Sequence, residues 1–340
     1  MRWGIVGFGW VARDYMAPGI VAAGGRVVAV CDRDPVALEA AAALGARSHR
    51  DVGSLLREEL DAVYVATPNH LHRPVVEACL DAGVPVLCEK PVAASLEDAV
   101  AMEAAARGSG TLLAVAFDQR HHPAHVAIRD AVAGGAIGLP TAVRIVYACW
   151  LDRGWSAAQR PHDNWRIDRA RAGGGAVIDL APHGLDLAGM LLGEPVVELT
   201  GFLQHRVQDY DVDDGGVLIG RTAAGVLVSL HVAYNMPERL PRRRLEVCGT
   251  RGQIVATNTM GQDAGGAVEL IGAATGTGRS LEFDASLSPF TAQARAFAAA
   301  VRGEPHDFDI ERDVAALGLL LSTCAVAEPT TTNSFERQAS

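Results

Sequence analysis

The chain has 340 residues, 49% apolar and 21% charged; that globular balance argues against disorder, and at roughly 150 residues per domain it predicts two domains. A formal charge of −10 repels phosphate backbones and anionic lipid, which argues against nucleic acid and membrane as partners. Six scattered cysteines without C-x-x-C spacing, no signal-peptide pattern, and a longest apolar stretch (Val314 to Ala327) too short to span a bilayer predict a reduced, cytoplasmic protein.

The first third alternates β-branched runs with Ala-rich helical stretches, the pattern of βαβ units around a parallel sheet. Strands are expected at Arg2–Val6, Arg26–Cys31, Ala62–Ala66, Pro85–Cys88 and Thr111–Ala116, with helices over Pro35–Leu44, Arg73–Ala82 and Leu96–Arg107. These strands are apolar on both faces, so helices should cover both. Ser95, three residues before Asp98, has the spacing of a helix N-cap.

The opening run Gly4-Ile-Val-Gly7-Phe8-Gly9-Trp10-Val11-Ala12 reads G-x-G-x-x-A between the first strand and a helix. Gly7 permits the tight turn, Gly9 admits a pyrophosphate close to the backbone, and Ala12 lets helix and strand pack closely. The second strand ends at Asp32, where a carboxylate accepts hydrogen bonds from ribose hydroxyls and repels a 2′-phosphate. Arg33 beside it can hold that phosphate and leaves NADP as the alternative, but the electrostatic argument from Asp32 favours NAD. Two further loops follow strand ends, Ala66-Thr67-Pro-Asn69-His70-Leu-His72 and Cys88-Glu89-Lys90-Pro91. A lysine at a buried strand end either has a chemical task or snorkels to solvent.

Beyond about Asp118 a helix over Pro123–Ala133 leads to a strand at Thr141–Ala148 and a Trp- and Arg-rich loop from Cys149 to Arg171. That loop carries Trp150, Trp155, Trp165, Arg153, Arg160 and Arg166, side chains suited to stacking on a sugar ring and holding its hydroxyls. His121, His122 and His125 lack a third convincing metal partner and read as a surface cluster at a helix entry, so no metal is expected. Gly173-Gly-Gly opens a helical segment to Leu192, in which Asp179 and His183 lie four apart and share a face. Such a pair suits proton transfer, and equally a structural hydrogen bond or half of a metal site. Alternating strands follow at Val196–Val207, Gly216–Thr222, Val226–Tyr234, Arg244–Cys248, Gln253–Thr257 and Ala267–Ile271, with hairpin turns at 223–225 and 249–252, and helices at Pro289–Val301 and Glu311–Ala327 close the fold.

Taken in order, G-x-G-x-x-A, Thr67-Pro-Asn69-His-x-His72, Glu89-Lys90-Pro91, Arg120-x-x-Pro123, Trp165-Arg166 before Gly-Gly-Gly, Asp179-x-x-x-His183 and Gly249-Thr-Arg-Gly252 resemble the glucose–fructose oxidoreductase, inositol dehydrogenase and rhizopine-catabolism (Gfo/Idh/MocA) family. The resemblance covers residues 1–328. It implies an α/β fold: a Rossmann domain over 1–118, then an α/β domain over 119–328 with an open-faced, mostly antiparallel sheet for substrate binding and oligomerisation, and a flexible tail at 329–340. By motif position it implies Lys90, His183 and Asp179 as catalytic residues and a cofactor set of Gly7, Phe8, Gly9, Trp10, Val11, Ala12, Asp32, Arg33, Thr67, Asn69, His72, Glu89 and Lys90. The substrate set is Lys90, Arg120, Trp165, Arg166, Asp179 and His183.

The activity this implies is NAD(P)-dependent hydride transfer at a secondary alcohol of a sugar, polyol or sugar derivative. An NAD-dependent glycoside cleavage by transient oxidation and elimination is the alternative, and a non-enzymatic dinucleotide-binding regulator a third. Apolar stretches such as Val226–Val232 on a sheet with few helices left to cover it predict a homodimer or homotetramer. One departure from the family pattern is Pro182: inside a helix it removes the hydrogen bond to the Ile178 carbonyl, yet the expectation is that His183 stays in place.

Overall fold

The computed structural model describes residues 1–155 and 164–327. Strand β1 (Arg2–Val6) is buried from Trp3 onward and runs into a single π-helical turn at Ala12–Met16 and helix α1 (Ala17–Ala22). The chain then alternates through β2 (Arg26–Cys31), α2 (Pro35–Ala43), β3 (Arg47–His49), α3 (Val52–Leu55), β4 (Ala62–Val65), α4 (His72–Asp81), β5 (Val86–Glu89), α5 (Leu96–Ser109) and β6 (Leu113–Ala116). These six strands form one parallel sheet in the order β3-β2-β1-β4-β5-β6. Its direction of winding switches between β1 and β4, and the crevice at that point lies at the carboxyl ends of the strands. Edge strand β3 escapes the sequence pattern because Arg-Ser-His offers no apolar alternation. The Ser95 cap forms as its spacing implies, with Oγ accepting from Asp98 N at 3.2 Å.

The second half contains α6 (Pro123–Ala133), β7 (Pro140–Ala148), α7 (Arg169–Ala172), α8 (Ala176–Leu192), β8 (Val196–Gln204), β9 (Gly215–Thr222), β10 (Leu227–Ala233), β11 (Arg243–Gly249), β12 (Gly252–Thr257), β13 (Ala267–Gly272), β14 (Gly278–Ser280), α9 (Pro289–Val301) and α10 (Ile310–Ala327). Its eight-stranded sheet runs β14-β13-β12-β11-β7-β10-β9-β8, antiparallel throughout except for the β7–β10 pair. The inner face, with Val143, Ile145, Leu230, Val247 and Ile254, packs on α6, α8 and α10. The outer face leaves Phe202, Ile219 and Leu227 at 80%, 53% and 60% exposure.

Helix α9 follows the second sheet in sequence yet packs in the core of the first, where Phe297 lies 5.5 Å from Trp3. The stretch Arg169–Leu192, rather than 314–327, has the length and hydropathy to cross a membrane; most of it is buried as the core helix of this domain. Among the described residues no disulfide joins any of the six cysteines. The expected fraying tail from Glu328 lies outside the described residues.

Candidate active site

Five loops converge on the carboxyl edge of the parallel sheet. They carry Gly7 after β1, Asp32 after β2, Thr67 after β4, Lys90 after β5 and Asp118 after β6. Gly7 has φ +86°, and a Cβ there would stand 2.6 Å from the Ala66 carbonyl oxygen, so only glycine allows the two loops to touch. Above Gly9 the space is open: an added Cβ meets nothing within 4 Å. Asp32 fixes the turn, since its carboxylate accepts from Phe8 N at 2.6 Å and Asp34 N at 2.8 Å. It stays half-buried, with Arg33 exposed beside it.

The buried Thr67 hydroxyl oxygen has no partner among the described residues, as expected of a group waiting for a ligand. Glycine cradle, open space, acidic strand end and orphaned hydroxyl together fit a bound dinucleotide. Trp10 stands at the rim, its ring 5.6 Å from Trp155 of the second domain. Other members of the expected cofactor set serve as scaffolding. The Phe8 side chain is buried in the core and Ala12 packs beneath the loop. Asn69 donates to the Ala172 carbonyl at 2.8 Å, tying its loop to α7. His72 is fully buried with its ring nitrogens 3.1 Å from Val92 O and 2.9 Å from Thr67 O, so it joins the Thr67 loop to the Pro91 segment.

The segment after β5 makes a cis peptide bond between Lys90 and Pro91. Glu89 turns inward and accepts from the Tyr64 hydroxyl. Burial pushes its carboxyl up, and the Lys90 ammonium opposes that. The glycine run then brings α8 onto this segment. Gly173 has φ +89° and lies so close to Ala94 that a Cβ would stand 2.4 Å from the Ala94 carbonyl oxygen. Asp213 satisfies the orphan donors at the head of α8, accepting from Gly175 N at 2.9 Å and Val177 N at 2.8 Å.

Asp179 therefore meets Lys90. Lys90 Nζ donates to Asp179 Oδ1 at 2.6 Å and to the Asp179 carbonyl at 3.0 Å, while the Tyr234 hydroxyl donates to Oδ2 at 2.5 Å. Burial raises the Asp179 carboxyl, but the Lys90 and Arg166 charges and the two hydrogen bonds outweigh it and hold the group well below the usual carboxylate range. Helix α8 runs unbroken through Pro182, so His183 follows Asp179 by one turn and is 4% exposed. Burial, then the Lys90 charge, keeps its pKa well below that of a free imidazole, with Asp179 opposing. At neutral pH the site thus presents an ammonium, a carboxylate and a neutral imidazole.

The remaining expected residues divide. Arg166 lies over the rings of Trp155 and Trp165, 5.3 and 4.6 Å from their centroids, and is close enough to Asp179 to influence its ionisation. Arg120 goes elsewhere: it is buried and ion-paired to Asp186 and Asp307, beside an apolar cavity of about 740 Å³ that Pro182, Leu185 and Gly189 of α8 help to line. His121, His122 and His125 do stand at the entry to α6, but His122 and His125 are packed inside rather than on the surface, and His121 is half-buried. His125 and His122 are fully buried, and burial lowers their pKa to about 3 and about 4. No metal-binding cluster occurs among the described residues. Arg160 lies outside them.

Three site residues escape the sequence reading: Tyr234, Asp118 and Tyr147, whose ring meets His183 edge-on at 5.6 Å. One unused signal was available for the lysine. Lys90 is the only lysine in the chain, every other basic side chain of that kind being arginine.

A Rossmann sheet whose nucleotide crevice opens onto this cluster defines a nicotinamide-dependent oxidoreductase. Residues 1–117 match the model of the oxidoreductase family with an NAD-binding Rossmann fold, and residues 125–255 match the GFO/IDH/MocA C-terminal domain. The chain belongs to the Gfo/Idh/MocA oxidoreductase family. It is 35% identical to a 1,5-anhydro-D-fructose reductase from Ensifer adhaerens, over 79% of each chain. It is 32% identical to an inositol 2-dehydrogenase from Saccharopolyspora erythraea, over 69% of this chain and 67% of that one. Its fold is similar to that of a levoglucosan dehydrogenase solved with NADH and levoglucosan, at a TM-score of 0.84 and 22% identity over 96% of this chain and 97% of that one.

Proposed function

We propose that the protein interconverts a secondary alcohol and a ketone on a sugar, a polyol or a sugar derivative, using NAD in preference to NADP. The observation that carries the reading is the Lys90–Asp179 pair, 2.6 Å long, with His183 one helical turn further on at the carboxyl edge of the dinucleotide sheet. The sugar relatives, a reductase of 1,5-anhydro-D-fructose and an inositol dehydrogenase, support the substrate class.

The bound nicotinamide supplies the hydride acceptor or donor. Lys90 donates to the reacting oxygen and favours its alkoxide, as a cation placed where negative charge develops. Asp179 and Tyr234 orient the ammonium. His183, neutral at working pH, accepts the hydroxyl proton during oxidation and returns it during reduction. Trp155, Trp165 and Arg166 offer two aromatic faces and a planar donor to a hydroxylated ring. A screen of polyols, aldoses, glycosides and sugar acids with NAD and NADP, followed by NADH absorbance, tests this. Release of an aglycone without net NADH would replace it with the elimination reading.

The outer face of the eight-stranded sheet supports a second proposal, that two copies of the chain pack sheet to sheet. Phe202 and Val217 lie directly opposite each other in the β8–β9 register, and Ile219 and Leu227 continue the apolar stripe.

A further inference from the structure

Both oxygens of Asp179 are engaged by Lys90 and Tyr234, and the carboxylate facing the His183 imidazole is a different one. Asp118, from the turn after β6, places Oδ1 3.5 Å from His183 Nδ1. Both side chains are almost fully buried, and Nδ1 has no hydrogen bond among the described residues. The imidazole cannot easily turn away, because Phe117 and Tyr147 each meet it edge-on at centroid distances of 6.3 and 5.6 Å. Asp118 is equally fixed. Its Oδ2 accepts from Gln119 Nε2 at 2.8 Å, and Gln119 is itself held by the Gly261 carbonyl at 2.7 Å. The Gln293 amide from α9, oriented so that its oxygen accepts, takes Asp118 N at 3.0 Å.

We propose that Asp118 sets the tautomer of His183, and through it the direction in which the imidazole passes the substrate proton. The proposal rests on the reading of His183 as the proton-handling group. With Asp118 ionised, Nδ1–H donates to Oδ1 and Nε2 keeps its lone pair, the form that accepts a proton. During oxidation the substrate O–H bond breaks and an Nε2–H bond forms, while the electron pair of the C–H bond leaves with the hydride to the nicotinamide. The imidazolium so formed is paired with the Asp118 carboxylate, to which Nδ1 can pass its proton. With Asp118 protonated, its O–H donates to Nδ1 and Nε2 carries the hydrogen, the form that gives a proton to the product oxygen during reduction.

Asp118 is faced by Glu89 and Lys90 from the end of β5, Tyr64 from β4, Tyr147 from β7 and His183 from α8, with Asp179 beyond Lys90. The two tyrosines stay neutral, since burial raises both. Burial and then the Glu89 charge push Asp118 up to about 7, with Gln119 and Lys90 opposing, so both of its forms are populated near neutrality.

Ring-¹⁵N-labelled histidine tests the proposal without turnover, the His183 resonances being assigned by their loss in His183→Gln. As wild-type protein is titrated from mildly acid to mildly alkaline pH, His183 should pass from the Nε2–H to the Nδ1–H tautomer with a midpoint near 7. In Asp118→Asn, whose amide can donate to Nδ1, the Nε2–H form should persist throughout. A single tautomer across the wild-type titration, or an unchanged switch in Asp118→Asn, overturns the proposal, and the wild-type titration decides even if the variant does not fold.

In turnover, Asp118→Asn should lose about 10²-fold in oxidation kcat, at the low end for acid–base help, with KM and NADH affinity unchanged. Asp118→Glu should recover part of the rate and its pH dependence. Absence of turnover by wild type on every alcohol screened would overturn the dehydrogenase reading and leave the tautomer measurement standing.

Discussion

Lys90 and Asp179 meet at 2.6 Å although 89 residues separate them, and each comes from a different sheet's territory. Because the ammonium and carboxylate neutralise each other in a half-buried place, neither is free to serve as the titrating base. Proton exchange is left to the imidazole one turn away, and substrate must slip its reacting oxygen in beside an ion pair already formed.

The uniqueness of Lys90 makes it addressable. An amine-selective reagent should modify one side chain and the N-terminal amine, abolishing turnover in step with Lys90 modification, as peptide mass analysis would follow. NADH with a sugar alcohol analogue should slow the reaction. Full activity after complete Lys90 modification would remove the lysine from the chemistry.

Tyr234→Phe deletes one donor to Asp179 and leaves the ring in place. A hydrogen bond to a charged group is worth about 1.5–3 kcal/mol, so kcat should fall roughly 10- to 100-fold if the bond is fully expressed in the transition state. Asp179→Asn should cost more, because Lys90 then loses its counter-charge. Steady-state rates with thermal melts separate lost chemistry from lost folding.

Cofactor choice should follow Asp32. Wild type should bind NAD more tightly than NADP, and Asp32→Asn should narrow that gap by removing the charge that repels a 2′-phosphate. Asp32→Ala should weaken both cofactors, since it also removes the acceptor for Phe8 N and Asp34 N. Fluorescence titration with both nucleotides reads the difference. A wild-type preference for NADP would assign control to Arg33.

Arg120 separates architecture from catalysis. Arg120→Ala leaves the buried Asp186 carboxylate without its partner, which should cost about 3–5 kcal/mol of stability. Turnover per folded molecule should change little, since the guanidinium is committed to Asp186 and Asp307. A large loss of kcat/KM with an unchanged Tm would return Arg120 to the substrate site.

Self-association should depend on the outer sheet face. Light scattering should give a dimer or tetramer for wild type, and Phe202→Glu combined with Ile219→Arg should yield a monomer of unchanged secondary structure. A wild-type monomer at micromolar concentration refutes the sheet-to-sheet packing.

Lys90, Asp179 and His183 were legible because each sits in a short motif whose spacing is local: a strand end, then one helical turn. Tyr234 was not, since its place beside Asp179 is fixed by a 55-residue excursion through three strands and by the pairing of β10 with β7. Asp118 carries the same kind of signal as the residues after β1, β2, β4 and β5, a polar side chain at the carboxyl end of a parallel strand, but no short motif surrounds it. The histidines at 121–125 misled for a physical reason. Polar residues in series read as surface, whereas here Gln119 O and the Thr259 hydroxyl take up the ring nitrogens of His125 and make burial affordable. Strand β14, short and exposed throughout, leaves no hydrophobic trace.

The link from Asn69 to Ala172, reinforced by the contact of Gly173 with Ala94, ties the nucleotide sheet to the helix that carries Asp179 and His183. A cut between the halves would give one product holding the ammonium and another holding the carboxylate and imidazole, each deprived of its complement. Exchange of halves between relatives is constrained in the same way: a foreign second half must supply a carbonyl for Asn69 and a close-packed glycine at Ala94, or its carboxylate will miss the lysine. The unit of inheritance for the chemistry is therefore the seam, and the two folds on either side are free to diverge around it.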